Sequence, residues 1–195
     1  MNKDVRISVL ESPRLQLRPL RLDDAEPITA LLQDPTIARW TNSIPWPYSI
    51  DDAHAYLSTR AEADAHGESF IWAVVEKESD ALAGTIGLHD VDLKSGRGEL
   101  GYWIGEPFRN KGYTSEAARR VLSWAFEIAG FYRIQATYFP GNDASAGVMR
   151  NIGMQPEGLL RGFGFKHGEH LDIYLQAVLQ TDATWLSTKQ QWEKS

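Results

Sequence analysis

One stretch of the sequence, residues 99–118, constrains the fold more than any other. It reads ELGYWIGEPFRNKGYTSEAA. Its alternating start predicts a half-buried strand, and a Gly-bearing basic segment separates this strand from a helix that we expect from Ser115 to Ala129. The first N–H groups of a helix have no intrahelical partners, and the helix dipole favours negative charge there. A strand, a basic loop and a helix start in this order therefore predict a site for a phosphate-rich ligand.

The loop between this strand and helix contains the residue types that an anion site needs. Gly112 allows the backbone to approach an anion closely, and the N–H groups of Lys111 through Ser115 can converge on it. Arg109 and Lys111 add positive charge. The alternative is that Gly112 is only a turn residue before an ordinary helix. The spacing alone does not decide between these two interpretations.

A second glycine pattern, G-x-G-x-x-G at Gly96, Gly98 and Gly101, does not predict a dinucleotide site. Such a fingerprint follows a strand and opens a helix, whereas these glycines lie in a turn that runs into the strand expected at 98–104. A Gly-Lys-Ser/Thr phosphate loop is also missing from the sequence. A dehydrogenase or a nucleotide kinase is therefore disfavoured.

The composition excludes further classes of protein. A chain of 195 residues without cysteine forms no disulfide, no cysteine-ligated metal site and no thiolate nucleophile. His167 and His170 flank a glycine in a predicted hairpin turn and lack the spacing of a helical ligand pair, so we expect no metal site. The formal net charge of -6, with no block of like charges, argues against a nucleic-acid partner.

The length and the apolar pattern predict one domain over residues 1–195. We expect an ordered core from about residue 12 to 180 and a C-terminal tail over 181–195. The N-terminus has no apolar signal core, and no apolar run reaches membrane-spanning length. We therefore expect a cytoplasmic location and no membrane partner.

Strands and helices are mixed along this domain. Besides the helix at 115–129, the patterns predict helices that begin near Asp23 and Ser49, each with a capping-box signature, and a helix over 143–151. The predicted strands cover 14–20, at the edge of the sheet, then 70–76, 82–89, 98–104, 133–139, 154–165 and 171–179. This mixture predicts an α/β or α+β fold in which a sheet lies between helices.

Two motifs carry a resemblance to a known family. The run RNKGYT at 109–114 resembles the Q/R-x-x-G-x-G/A acetyl-CoA loop of the GNAT N-acetyltransferase superfamily, with Thr114 where Gly or Ala is usual. The run NDAS at 142–145, followed by Ile-Gly-Met at 152–154, is similar to the Asn-x-x-Ser helix and Gly-aromatic ending of the RimJ/RimL branch, with Met154 in place of the common Phe. That branch acetylates ribosomal-protein N-termini, and its relatives act on other amines.

The resemblance extends over nearly the whole chain. The opening RLQLRP at 14–19, the PWPY loop at 45–48 and the closing GEHLD at 168–172 agree with the same branch. It implies a three-layer α/β/α fold with a central mixed, mostly antiparallel, splayed sheet. It also implies acetyl transfer from acetyl-CoA directly to a primary amine, with no covalent acyl-enzyme and no metal. Many relatives form dimers, which makes a homodimer one expectation.

The resemblance implies two catalytic residues. In the GNAT superfamily a glutamate on the strand expected here at 98–104 often serves as the general base, and Glu99 occupies the matching position. Many relatives use a tyrosine to protonate the departing thiolate, but Met149 occupies that position, so Ser145 of the Asn-x-x-Ser motif inherits the role. The alternatives are that Glu99 is an exposed residue at a strand end, and that Asn142 and Ser145 only cap a helix.

The resemblance also implies the binding residues. The expected cofactor-binding residues are Trp103, Ile104, Arg109, Asn110, Lys111, Gly112, Tyr113, Thr114, Ser115 and Asn142. An acceptor pocket is expected between the aromatic loop 40–48 and the hairpin 166–170, with Trp40, Trp46, Tyr48 and Tyr102 as candidate contacts. Aromatic residues in a proline-rich loop can equally belong to the core.

Two function classes remain open from the sequence. The first is an amine acetyltransferase, whose acceptor could be a protein N-terminus, a polyamine, an amino acid or an aminoglycoside. The second is a non-catalytic acyl-CoA-binding or regulatory protein of the same fold, which the missing tyrosine at Met149 supports. The sequence does not identify the acceptor or the oligomeric state.

Overall fold

The computed structural model describes residues 5–166 and 168–192. Its strands are β1 Leu10–Glu11, β2 Leu15–Pro19, β3 Phe70–Glu76, β4 Ala81–Asp92, β5 Arg97–Ile104, β6 Arg133–Tyr138, β7 Gln155–Lys166 and β8 Glu169–Leu179. Its α-helices are α1 Ala25–Leu31, α2 Pro35–Trp40, α3 Ile50–Ser58, α4 Arg60–His66, α5 Tyr113–Trp124, α6 Asp143–Asn151 and α7 Ala183–Trp192. None of the helices in these two ranges is long and apolar enough to cross a bilayer.

The strands form one 8-stranded sheet in the order β1-β2-β3-β4-β5-β6-β8-β7. Every neighbouring pair is antiparallel except β5 and β6, which are parallel. One apolar cluster joins the sheet to α5, and a second joins the opposite face to the helices between β2 and β3. The sheet is thus covered on both sides, and the predicted three-layer α/β/α fold is confirmed.

Strand β3 is buried on both faces of the sheet, since all seven of its residues are buried. Phe70 and Trp72 point to one face, where their rings meet the Trp124 ring of α5 at centroid distances of 5.0 and 4.9 Å. Ala73 and Val75 point to the other face and pack in the second cluster. This edge-to-face aromatic packing fixes α5 against the sheet.

The sheet is splayed at its one parallel pair. Strand β5 pairs with β6 only from Arg97 to Glu99, opposite Arg133 to Gln135. Beyond this point β5 continues to Ile104, paired only with β4, while β6 continues to Tyr138, paired only with β8. The two strands therefore separate and leave a cleft, as the resemblance implied.

Two predictions at the N-terminal end were wrong in detail. The strand predicted at the sheet edge, β2, is covered by β1, a pair of residues too short to show an alternating pattern. The first helical segment is not capped by Asp23. Instead the carboxylate of Asp24 accepts hydrogen bonds from the backbone N–H of Arg21 at 2.8 Å and from the guanidinium of Arg18. The capping box at Ser49 and Asp52 is confirmed.

The long helix predicted at 115–129 differs at both ends. Helix α5 begins at Tyr113, directly after Gly112, and is followed by a π-helical turn at Ala125–Ala129. A π turn is wider than an α turn, so it shifts the residues behind it around the helix axis. For this reason Ile128, which regular α-helical spacing from Val121 and Trp124 would place on the apolar face, is 64% exposed, while Ala129 is buried.

The segment expected to be a tail instead contains α7. Trp185 in this helix is 2% exposed, and its ring meets that of Phe126 at 5.4 Å. The ordered core thus reaches beyond residue 180, because one buried tryptophan is enough to anchor a short helix of low amphipathicity. His167, predicted to lie in a hairpin turn, falls outside the described residues.

Candidate active site

Glu99 lies where β5 and β6 separate. It is the last residue of β5 that pairs with β6, and its carboxylate accepts hydrogen bonds from Thr137 Oγ1 at 2.7 Å and from Gln135 Nε2 at 3.2 Å. Both donors belong to β6 and lie on the same face as Glu99. The carboxylate is therefore held at the closed end of the cleft rather than free at a strand end.

His89 lies beside this carboxylate, which the sequence did not lead us to expect. It is the cross-strand partner of Glu99 in β4. A Cβ added to Gly101 would come within 2.9 Å of its imidazole, so the absence of a side chain at Gly101 makes room for the ring. Desolvation lowers the pKa of His89, which favours the neutral imidazole. Only the pairing register could have revealed this neighbour.

The loop that leads into α5 has an unusual backbone. Asn110 has φ +60° and Gly112 has φ +79°, both in the left-handed region. No side chain caps α5, and among the described residues no backbone N–H from Asn110 to Ser115 donates to a protein acceptor. Consecutive unpartnered amides at the N-terminus of a 12-residue helix form a concave site for an anion.

Two residues beside the strand ends hold this loop in place: Arg14, directly before β2, and Glu76, the last residue of β3. The guanidinium of Arg14 donates to the backbone O of Lys111 at 2.9 Å and to the carboxylate of Glu116. The Tyr113 hydroxyl donates to Glu76 at 2.6 Å, and Lys111 Nζ lies 3.2 Å from the same carboxylate. Hydrogen bonds from Tyr113, Ser79 and Lys111, in that order of effect, lower the pKa of Glu76 to about 2. Arg14 and Glu76 were not predicted as supports of the loop.

Arg109 was predicted to add charge at the cofactor, but its guanidinium has protein partners. It donates to Asp34 at 2.5 Å, to Thr36 Oγ1 at 3.0 Å and to the backbone O of Ile104 at 3.1 Å. Asp34 is the N-cap of α2, with Pro35 at the first helical position. The side chain of Arg109 therefore ties the loop to α2, and the anion site rests mainly on backbone donors.

The other side of the cleft is formed by α6. Asn142 caps this helix, because its Oδ1 accepts from the N–H of Ser145 at 3.2 Å. The Ser145 hydroxyl lies 2.8 Å from the Tyr102 hydroxyl of β5, and burial raises the pKa of Tyr102 to about 12. Met149 is 1% exposed in the core. Tyr102, which was predicted as a candidate acceptor contact, therefore contacts Ser145 of α6.

The remaining predicted cofactor residues surround the cleft and the loop. Trp103 shares the face of Glu99 and packs on the second apolar cluster, whereas Ile104 is buried in the first. Thr114 and Ser115 lie in the first turn of α5, and Ser115 is buried. Glu99 thus lies on β5 and Ser145 on α6, and the loop leads from β5 into α5.

A cavity of about 740 Å³ lies next to the end of β6. It is bounded by the loop after α2, by Phe139 and Pro140, and by the β7–β8 hairpin. Trp40 and Trp46, two of the residues predicted as acceptor contacts, line it. Tyr48 does not, since it is 8% exposed and packs in the second apolar cluster.

A splayed sheet with unpartnered amides at a helix start beside the opening is the arrangement expected of an acetyltransferase domain. The family model described as acetyltransferase (GNAT) domain matches residues 14–155. The chain belongs to the GNAT acetyltransferase family, and the enzyme class predicted from the sequence is confirmed.

Individual relatives agree with this assignment. The chain is 30% identical to the uncharacterized N-acetyltransferase YoaA of Bacillus subtilis, over 88% of this chain and 97% of that protein. It is 25% identical to the [ribosomal protein uS5]-alanine N-acetyltransferase of Escherichia coli, over 72% and 76%. The structure of Mycobacterium smegmatis RimJ in complex with CoA-disulfide has the same fold, with a TM-score of 0.79 and 21% identity over 89% of this chain and 86% of that one. The chain is therefore similar to the RimJ/RimL branch.

Proposed function

We propose that this protein transfers an acetyl group from acetyl-CoA directly to a primary amine. The observation that carries the proposal is the run of unpartnered backbone donors from Asn110 to Ser115, next to a cleft that has Glu99 at its closed end. The donors match a diphosphate, and the cleft matches an extended chain that ends near a carboxylate. The RimJ relative with bound CoA-disulfide supports the same coenzyme.

The residues of the loop fit the coenzyme in a specific way. The amides around Gly112 would hold the diphosphate, with Arg14 and Lys111 as nearby cations, and the free edge of β5 at Trp103 and Ile104 would face the pantetheine arm. Asn142 would contact the coenzyme from α6. Bound acetyl-CoA supplies an activated acetyl group as a thioester. The chain has to supply a proton acceptor and a proton donor.

Glu99 would act as the proton acceptor. An ammonium of the lysine type has a pKa of about 10.4, so only about one molecule in a thousand is nucleophilic at pH 7. A carboxylate held beside the amine, directly or through one water, removes this proton before or during attack. Thr137 and Gln135 hold the carboxylate in place for this task.

Ser145 would act on the opposite side of the cleft. Its hydroxyl can give a proton to the sulfur as the carbon–sulfur bond breaks, which is the role that Met149 cannot fill. Attack on the thioester also places negative charge on the carbonyl oxygen. A backbone N–H near Trp103 or Ile104 would stabilise that charge, an effect of about 3 kcal/mol for one good donor.

The acceptor is an amine. The Escherichia coli relative is named for an alanine of ribosomal protein uS5, which makes a protein N-terminus one candidate. The cavity beside Phe139 is where we place the body of the acceptor, because it opens next to the start of α6.

Ligand-dependent melting and thiol release together test this proposal. A ligand at 100 times its Kd stabilises a protein by about 2.7 kcal/mol, and each kcal/mol raises Tm by roughly 2–4 °C at this chain length. We therefore expect acetyl-CoA to raise Tm by roughly 5–10 °C, with no such shift from ATP or NAD. Amines should then cause the release of free CoA thiol.

Two outcomes would contradict the proposal in different ways. Stabilisation by acetyl-CoA without thiol release, across a broad panel of amines, would favour the non-catalytic acyl-CoA-binding protein. Stabilisation by ATP or NAD but not by acetyl-CoA would overturn the assignment of the loop around Gly112.

A further inference from the structure

We infer that the preferred acceptor is a compound with one amine, carried on an aromatic or bulky apolar body, rather than a polyamine or an aminoglycoside. This inference rests on the proposed function, because it identifies the acceptor of the same reaction. It is carried by the walls of the 740 Å³ cavity and by the charges around it.

The walls of the cavity are aromatic on several sides. Trp40 is the last residue of α2, Trp46 comes from the loop after it, Phe139 directly follows β6, and Phe165 comes from β7. Trp46 is 47% exposed and Phe165 is 58% exposed, so these rings are not packed into the core. Exposed aromatic rings that converge on one cavity of drug-like volume are typical of a binding site for an apolar ligand.

The charges around the cavity argue against a polycationic acceptor. Asp172 is the single carboxylate among the described residues that line it, and it already accepts from the N–H of Gly162 at 2.8 Å. The guanidinium of Arg39 lies 4.8 Å from the ring centroid of Trp40, and Lys166 also lines the cavity. A ligand with several ammonium groups would meet two cations and one engaged carboxylate.

The cavity wall also lies next to the start of α6. Phe139 and Pro140 in its wall are followed along the chain by Gly141 and by Asn142, the cap of α6. The Trp40 ring lies against Gly141, 3.7 Å from the position of an added Cβ. A body bound between the aromatic rings therefore lies next to the helix that carries Ser145.

A panel of acceptors tests this inference. Phenylalaninamide and tryptophanamide should give kcat/KM at least about 10-fold above alaninamide, because they add a large apolar group to an apolar pocket. Spermidine and kanamycin should be poorer than alaninamide. The W46A variant should bring the aromatic amides close to alaninamide and leave KM for acetyl-CoA unchanged. The matched control is F163A, which removes a ring that is 68% exposed and does not line the cavity.

The outcomes separate this inference from the proposed function. Thiol release with spermidine or kanamycin above the aromatic amides, or an unchanged preference in W46A, would overturn the acceptor class and leave the acetyltransferase in place. No thiol release with any amine would overturn both.

A separate observation carries a second inference: we infer that Tyr102 positions the hydroxyl of Ser145. The Tyr102 oxygen lies 2.8 Å from Ser145 Oγ and 3.2 Å from the Ser145 backbone O. When Tyr102 donates to Oγ, the hydrogen of Ser145 is free to point at the departing sulfur. When Ser145 donates to Tyr102 instead, that hydrogen is used.

The geometry favours the first arrangement, because the Tyr102 oxygen lies closer to Ser145 Oγ, at 2.8 Å, than to the backbone O that competes for the same hydrogen, at 3.2 Å. Burial raises the pKa of Tyr102 to about 12, so this hydrogen stays on the hydroxyl. In the step itself the O–H bond of Ser145 breaks, the S–H bond forms, and Ser145 recovers a proton from solvent. Tyr102 keeps its own proton. The hydroxyl that a tyrosine at Met149 would bring is thus replaced by a serine held from the neighbouring strand.

Double-mutant kinetics test the positioning role. Y102F should lower kcat by about 3- to 10-fold, the loss of one neutral hydrogen bond, with KM for acetyl-CoA and for the amine unchanged. S145A should lower kcat at least as much, and Y102F/S145A should be no slower than S145A alone, because both changes remove one function. Y132F, which changes a half-exposed tyrosine elsewhere, is the control. Additive losses, or an unaffected kcat in Y102F or S145A, would overturn the inference.

Discussion

Replacing Glu99 with glutamine is expected to lower kcat at pH 7 by about 10²- to 10⁴-fold, the range for loss of a positioned general base. Glutamine keeps the size of the side chain and can still bond to Thr137, but it cannot take up the proton of the acceptor. The loss should shrink as the pH rises, because the amine then deprotonates in solution. For an α-amine, with a pKa of about 7.7–8.0, most of the recovery should appear by about pH 9.

The E106Q variant is the matched control for E99Q. Glu106 is exposed in the turn after β5, and none of its described contacts involves its carboxylate. E106Q should leave kcat and its pH profile unchanged, while E99Q should leave the Kd for acetyl-CoA unchanged. An E99Q profile parallel to that of the unmodified protein would remove Glu99 from the role of base.

The second large effect is expected at Gly112, where alanine should weaken acetyl-CoA binding by about 5- to 30-fold. Gly112 has φ +79°, and a left-handed conformation costs an L-residue about 1–2 kcal/mol. An added Cβ would meet only the guanidinium of Arg14, at an ordinary 3.6 Å, so the effect comes from the backbone and not from a clash. The loop relaxes toward another conformation, and its amides no longer converge on one anion.

G168A is a matched control for this backbone effect. Gly168 has φ +83°, and nothing lies within 4 Å of an added Cβ. Both variants should therefore lose similar stability in a denaturant titration, but only G112A should lose affinity for acetyl-CoA in calorimetry. Equal affinities for acetyl-CoA in G112A and G168A would show that the loop around Gly112 does not bind the coenzyme.

Local patterns predicted much of this fold. The helix at 143–151 agrees with the structure at both ends, because its cap and its stop are encoded by adjacent residues. The loop at 109–115 and the strand that carries Glu99 were also predicted from neighbouring residues. The two-residue strand β1 and the six-residue helix α2 were not, since segments of this length show too little periodicity.

The partners of the site residues could not be predicted in the same way. Arg109 and Asp34 are 75 residues apart in the chain, and Tyr102 and Ser145 are 43 apart. Each pair forms only when elements that are distant in the sequence pack together in the fold. A local sequence pattern does not predict such long-range contacts. Candidate site residues could therefore be proposed from the sequence, but the residues that contact them could not.

Helix α2 is tied down at both of its ends, and this has a consequence for the whole enzyme. Asp34 at its start is bound by Arg109 of the loop, and Lys166 of the hairpin donates to the backbone O atoms of Ala38, Arg39 and Thr41 at its end. The helix is about 9 Å long and lies between the proposed coenzyme site and the proposed acceptor site. A loop displaced by one ligand would push or pull the wall that receives the other. Such mechanical coupling is reciprocal, so each substrate would change the affinity for its partner by the same factor.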